Sequence, residues 1–335
     1  MDRILFLSHT ETNGQLSRHA LETLTAASQI AEILGDELIV GLYGGATSDA
    51  VKQVSGKTLT VEGEAFATSR YATDAAAAEA LCKASDATIV VAPGTSRTVR
   101  FLSGVAERLN GKTDTHITGI STNDGLILHR WYYRQRMRAD ITRSDRPWFI
   151  AVDSGVFEQF SGSGGEVEAV SVTIDDKLTR TTVQGTKSPE TGEQTIRPDA
   201  ETLLVAGAGW TKKQADGQTH TDKAAELILD FMHKSGASLG SSKSLVDLKG
   251  EGQTVLPFMT HLNQIGQTGS TPRHQKGLAT CCHGEEPHVV GWRFINERRA
   301  VNLDPNCGWA QGKADVLYVA DAFAVMEKVN EMLSD

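Results

Sequence analysis

Ile4-Leu-Phe-Leu-Ser8 is an apolar run closed by a hydroxyl; beyond it Leu16, Ala20, Leu24, Ala27, Ile30 and Leu34 recur near helical spacing up to Gly35, and residues 37–43, apolar after Glu37, read as a second strand. A buried strand, an amphipathic helix and a second buried strand, in that order, predict a parallel sheet, because parallel neighbours need a crossover of about a dozen residues or more. The pattern continues downstream. Residues 73–84 read as an alanine-rich helix, 87–91 as a third strand and 98–109 as the helix after it, while 117–120, 126–129 and 148–152 are further strand candidates.

From 161 to 197 the composition shifts toward Gly, Ser, Thr and charge, between Phe160-Ser-Gly-Ser-Gly-Gly165 and Lys187-Ser-Pro-Glu190. That shift marks an inter-domain region and leaves open a strand at 170–174 completing the first domain. A second α/β pattern starts at Thr202-Leu-Leu-Val-Ala206, passes Gly207-Ala-Gly209, and enters a helix over 222–235 with Ala225, Leu227, Ile228, Phe231 and Met232 on its apolar face. A chain of 335 residues also exceeds the ~250–300 at which single cores stop growing. The expected fold class is therefore α/β, with two open, mostly parallel sheet domains and flanking helices. A nucleotide-binding α/β domain is expected over 1–160, a linker region over 161–200 and a Rossmann-like domain over 201–335.

Composition excludes several classes. No apolar run approaches the ~20 residues that span a bilayer, so membrane insertion is not expected, and a net charge of −9 argues against a nucleic-acid footprint. Cys82, Cys281, Cys282 and Cys307 have no C-x-x-C spacing, which indicates neither a zinc knuckle nor a disulfide framework. The N-terminus turns polar too soon for a signal peptide, and a cytoplasmic location is expected. The stretch Arg130-Trp-Tyr-Tyr-Arg-Gln-Arg-Met-Arg138 is the one basic cluster; its period-two alternation reads as an exposed-face strand whose cations meet an acidic partner subunit.

Ligands of open α/β sheets bind beyond the carboxyl ends of the strands, so Ser8-His-Thr10 and Ala92-Pro-Gly-Thr-Ser96 are natural site positions, although such loops are rich in these residues for turn reasons alone. Gly207-Ala-Gly209 lacks the third glycine of a dinucleotide fingerprint. The segment 240–321 is more informative: Gly240-Ser-Ser-Lys243, Gly266-Gln-Thr-Gly269, His283, His288 and Asn302-Leu-Asp-Pro305. Glycines, hydroxyls, an amide and imidazoles suit phosphates and a flavin ring, and no nucleophile-and-base pair is visible, so the chemistry is expected to belong to a cofactor. Taken singly, His283 and His288 are also readable as metal ligands or as hydrogen-bonded loop residues, Asn302-Leu-Asp-Pro305 as a turn after a strand at 299–302, and Trp292 and Trp309 as packing residues.

In order and in most spacings these pieces resemble the alpha subunit of electron transfer flavoproteins. Gly240-Ser-Ser-Lys-Ser-Leu-Val-Asp247 is similar to that family's G-A-S-R-x-x-V-D, Ile265-Gly-Gln-Thr-Gly269 to V-G-Q-T-G, and His283-Gly-Glu-Glu-Pro-His288 to S-G-A-I-Q-H. Asn302-Leu-Asp-Pro305 is similar to N-K-D-P and Val319-Ala-Asp-Ala322 to V-A-D-L. The resemblance covers nearly the whole chain, with high specificity in the last hundred residues or so. It implies an electron carrier more than an enzyme, and FAD held mainly by the C-terminal domain. Ser242, Lys243, Ile265, Gly266, Gln267, Thr268 and Gly269 would hold phosphate and flavin, with the Thr268 hydroxyl toward N5. His283, Gly284, Glu285, Glu286, Pro287 and His288 would form the next run, with His288 at the N1/C2 edge, where a donor stabilises the charge of the reduced ring. Asn302, Asp321 and Ala322 would lie on the adenosine side.

The implied partners are a beta subunit, usually carrying AMP, a flavin-dependent dehydrogenase and a membrane quinone reductase. This chain departs from the family pattern at several points. Gly207-Ala-Gly-Trp210 has no arginine, Lys243 replaces another, His283 and Pro287 replace serine and glutamine, and about eight residues are added between Asp247 and Ile265. Two readings from other classes stay open: a nucleotide-binding α/β hydrolase or transferase, and a cofactor-free scaffold.

Overall fold

A computed structural model describes residues 2–123, 125–132, 137–185, 196–197, 199–247, 255–266, 271–280, 295–305 and 314–334. The chain divides into two compact units, Met1–Thr186 and Lys187–Asp335, so the boundary falls inside the stretch where composition shifts.

The first unit holds β1 (Ile4–His9), β2 (Leu38–Gly44), β3 (Thr58–Glu62), β4 (Ile89–Pro93), β5 (Lys112–Thr122), β6 (Leu126–Tyr132), β7 (Met137–Ile141), β8 (Trp148–Val152) and β9 (Val167–Ala169). They form one sheet in the order β7-β6-β5-β8-β4-β1-β2-β3-β9. Central strands are buried on both faces, which is why β1 reads as an unbroken apolar run. Alternate residues serve opposite faces: Ile4, Phe6, Val40 and Leu42 join one core cluster, and Leu5, Leu7, Ile39 and Tyr43 the other.

The helix Arg18–Leu34 covers the first face. Ser17 caps it by accepting from the Ala20 amide, and Gly35 ends it at φ 67, a left-handed conformation that glycine adopts without penalty. Helices Tyr71–Ser85 and Ser96–Arg108 cover the second face. There Cys82 is buried, and desolvation pushes its thiol up to about 12, so it is an inert packing residue.

Three features differ from the expectation. β5, β6 and β7 are antiparallel, because the three-residue link 123–125 is long enough only for a hairpin. The basic stretch 130–138 is consequently not one strand: Trp131 of β6 pairs with Arg138 of β7 and Tyr132 with Met137. The strand near the unit's end is Val167–Ala169 rather than 170–174, and it pairs with β3.

His19, on the first turn of its helix, donates from Nε2 to the Val152 carbonyl at 2.8 Å. Burial lowers its pKa from the usual 6.5, outweighing the Val152, Glu22 and Asp153 contributions that raise it. The native ring stays neutral where the unfolded one protonates, so stability falls as pH drops below about 6.5, down to the lowered native value. A His19→Gln variant keeps an N–H donor and removes the titration. Urea melts from pH 7.5 to 5 are expected to show a shallower acid loss in the variant; identical slopes would contradict this assignment.

The second unit holds β10 (Thr202–Ala206), β11 (Ser238–Ser241), β12 (His274–Thr280), β13 (Ile295–Asn302) and β14 (Val316–Val319). All pairs are parallel, in the order β11-β10-β12-β13-β14. Helices Thr221–Ser235 and Ala322–Met332 pack on one face through Ile228, Phe231, Phe323 and Met326. Gly236, at φ 64, turns the first of them into β11. Among the described residues no helix is long and apolar enough to cross a membrane.

Candidate functional site

The chain passes from β10 to β11 on one side and then to β12 on the other. The crevice beyond the carboxyl ends of β10 and β12 is thus the topological switch point, where open α/β sheets bind ligands. Here it is filled. Trp210, on the 3-10 turn Ala208–Thr211, is fully buried, and its Nε1 donates to Thr280 Oγ1 at 2.9 Å. Its ring lies 4.6 Å from that of Phe323.

Around this plug the sequence-derived site residues fall into two groups on one carboxyl edge. The first follows β11. The Ser242 amide donates to the Ala206 carbonyl at 2.9 Å, and its Oγ accepts from the Leu245 amide at 3.3 Å, which starts the short helix Lys243–Asp247. Ile265 donates its amide to Ser241, and a Cβ on Gly240 would stand 2.5 Å from the Ile265 side chain, so only glycine admits this approach. Gly266 turns at φ 73 and donates to Thr271 Oγ1 at 2.7 Å. Ser241 Oγ is buried and has no hydrogen-bond partner among the described residues, an uncommon state that marks a place where a further polar group fits. Lys243 is largely exposed, with Nζ 3.6 Å from Asp247.

The second group follows β13 and β14. Asn302 is buried; its Oδ1 accepts from the Asp304 amide at 3.2 Å, and its carbonyl accepts from Ala320. Asp321 caps the helix Ala322–Met332 by accepting from Phe323 at 2.9 Å. Asn302, Asp321 and Ala322 line one small, shallow cleft together with Val301, Leu303, Ala320 and Gln214. Gln214 reaches it from the loop after β10, whose tip is fixed by Asp216. The Asp216 carboxyl is held below its usual range by the Gln218 amide and by His220.

β11 and β14 stand four strand spacings apart, roughly 19 Å. The two groups therefore meet one ligand only if it is long enough to cross the edge. Gln267, Thr268, Gly269, His283, Gly284, Glu285, Glu286, Pro287 and His288 lie outside the described residues, as do Trp292, Trp309, Cys281, Cys282 and Cys307. Among the described residues no cluster of His, Cys, Asp and Glu forms a metal site.

The loops of the first unit that sequence also singled out are engaged in structure. Ser8 Oγ donates to the His9 carbonyl and Thr10 Oγ1 to that of Ala46. Thr95 caps the helix Ser96–Arg108. Sequence reasoning missed Gln214, Trp210 and Thr280, because a loop folding back over a sheet edge has no local signature.

A model of the electron transfer flavoprotein domain matches residues 4–175. The chain belongs to the electron transfer flavoprotein family. It is 25% identical over 334 residues to "Electron transfer flavoprotein subunit alpha, mitochondrial" of Dictyostelium discoideum, covering 96% of this chain and 89% of that one. It is 24% identical to "Electron transfer flavoprotein subunit alpha" of Clostridium acetobutylicum, over 97% and 93% respectively. The likeness to "Probable electron transfer flavoprotein subunit alpha, mitochondrial" of Caenorhabditis elegans is 24% over 98% and 93%. The domain match lies in the first unit, while the relatives extend over both, so the electron transfer flavoprotein likeness includes the edge just described. The chain is a divergent member on the alpha-subunit side, and its role is electron transfer.

Proposed function

We propose that the chain is the FAD-carrying alpha subunit of a heterodimeric electron transfer flavoprotein. It takes electrons from a flavin-dependent dehydrogenase and delivers them to a membrane quinone reductase, and its partner is a beta subunit. The observation that carries this reading is the pair of site groups spread over one carboxyl edge, a span that suits a dinucleotide and exceeds a mononucleotide.

The residues present fit that cofactor. Gly240 lets the loop that starts at Ile265 lie close to β11, the unpartnered Ser241 hydroxyl is available there, and Lys243 supplies a positive charge for phosphate. On the other side the Asp321 carboxylate suits ribose hydroxyls, the pairing that acidic residues make in dinucleotide sites. When bound, FAD supplies the electron transfer; the protein holds and orients it, so no acid–base dyad is required of this chain. By resemblance, Thr268 and His288 are the groups that would set its potential.

Co-expression with a candidate beta subunit tests the assignment. A yellow complex that releases one FAD per chain on unfolding is expected, whereas the chain alone should hold FAD weakly. A colourless complex, or tight FAD binding by a soluble lone monomer, would count against it.

A further inference from the structure

We propose, resting on the flavin reading above, that His274 is a positioning residue: a buried, doubly protonated imidazole that anchors the chain on either side of the candidate flavin loop and releases it as pH rises. His274 opens β12 and is 1% exposed. Its Nδ1 lies 2.9 Å from the Pro272 carbonyl; its Nε2 lies 2.9 Å from the Arg197 carbonyl and 2.8 Å from Ser238 Oγ. A carbonyl oxygen only accepts, and a neutral imidazole has one N–H. Either neutral tautomer therefore sets a bare ring nitrogen against a carbonyl, whereas the imidazolium donates to both. Donation from the Ser238 hydroxyl to Nε2 would still leave the Arg197 carbonyl against the same lone pair.

The place in the fold favours a cation. In a parallel α/β unit the helices run back against the strands, so the negative ends of their dipoles gather at the amino edge, where β12 begins. The helix Thr221–Ser235 ends there at Gly236, whose carbonyl accepts from the Arg197 guanidinium, two residues before Ser238. Side-chain charge does not hold the proton. Among the described residues the surrounding elements bring the cations Arg197, Arg273, Lys276 and Lys234, with His233 beside the last. Their carboxylates are engaged: Glu201 pairs with Lys276 at 2.7 Å, Asp230 with Lys234 at 2.7 Å and Glu297 with Arg299 at 3.2 Å. The carbonyls and the helix end are what remain. Pro272 follows Thr271, whose Oγ1 accepts from the Gly266 amide at 2.7 Å, and Ile265 is bound to Ser241 of β11. One ring that fixes Pro272, Ser238 and Arg197 thus steadies both ends of the segment that, by resemblance, holds the flavin. Its contribution is complete below about 6.5, where a free imidazole is protonated too, and is lost as pH rises through the titration of the folded ring.

Two readouts on the full chain in complex with its beta subunit test this. Nitrogen NMR of the histidine-labelled complex counts the protons on the ring, which is recognised by slowly exchanging N–H signals and by their loss in His274→Asn or His274→Gln. Two N–H groups at pH 7.5 are expected; a bare ring nitrogen at that pH overturns the proposal, whatever the flavin does. Flavin fluorescence then follows FAD affinity from pH 6.5 to 9. The wild type is expected to weaken about tenfold more than His274→Gln, which keeps a donor toward Arg197 and does not titrate; tenfold is near the lower end of the worth of a hydrogen bond to a charged group. Parallel pH profiles in the two proteins overturn the positioning role alone. A complex that shows both N–H groups and binds no FAD at any pH overturns the flavin reading, and the positioning role with it.

Discussion

Replacing Asp74 with alanine is expected to cost the first unit about 3–5 kcal/mol, the usual penalty for breaking a buried ion pair by removing one partner. Asp74 is fully buried on the helix Tyr71–Ser85. Its carboxylate accepts from Arg97 Nη2 at 2.7 Å and from Nε at 3.1 Å. Arg97 sits one residue into the next helix and donates also to the Phe66 carbonyl at 2.8 Å, and its guanidinium lies over the Tyr43 ring. One pair thus ties two helices to the short helix Glu64–Ala67 across the second face of the sheet. With the carboxylate gone, a guanidinium whose side chain is 12% exposed loses its counter-charge. The double variant Asp74→Leu/Arg97→Met removes both charges and should recover most of the loss. Urea denaturation of the single and double variants measures this. A single variant within about 1 kcal/mol of wild type would mean that the pair is dispensable.

Replacing Trp210 with alanine is expected to cost the second unit a similar 3–5 kcal/mol, the range for large aromatic deletions from a core, and to abolish flavin retention. The ring is the largest fully buried side chain among the described residues of that unit. It packs with Ala224, Phe323 and Met326 and joins the β10 loop to the end of β12 through Thr280. Losing it loosens the loop that carries Gly209 and Gln214 as well as the cap of the helix Ala322–Met332. Trp210→Phe keeps most of the packing and gives up one hydrogen bond, a loss of about 1 kcal/mol. Amide exchange should therefore quicken in β10 and β12 in the alanine variant while the core strands of the first unit stay protected. Unchanged exchange in β10 would refute the role given to the plug.

Most of the fold is legible because its central strands are buried on both faces. The runs at 148–152 and 202–206 coincide with β8 and β10, and Gly35 and Gly236 end their helices as their conformational freedom implies. Legibility fails where polar residues enter the sheet. β12 begins with His274-Gln-Lys-Gly277, which has no strand signature; His274 is buried because its ring meets Ser238 Oγ at 2.8 Å and the Arg197 carbonyl at 2.9 Å. Those partners lie far away in sequence. Asn330 is likewise buried in the last helix by donating to the Leu227 carbonyl. At the candidate site, the order of motifs placed Ser242 beside Ile265 and Asn302 beside Asp321. Gln214 escaped, since its part depends on two carbonyls that fold back onto its amide.

The most direct measurement of the central claim is the ratio of FAD to FMN affinity for the chain in complex with its beta subunit. A ligand that must cross from the β11 loop to the cleft at Asn302 and Asp321 uses both halves of the dinucleotide. We expect FAD to bind at least about 100-fold more tightly, a difference of ~2.7 kcal/mol. Equal affinity for FMN, or no flavin binding at all, would contradict a site spread across the sheet's carboxyl edge.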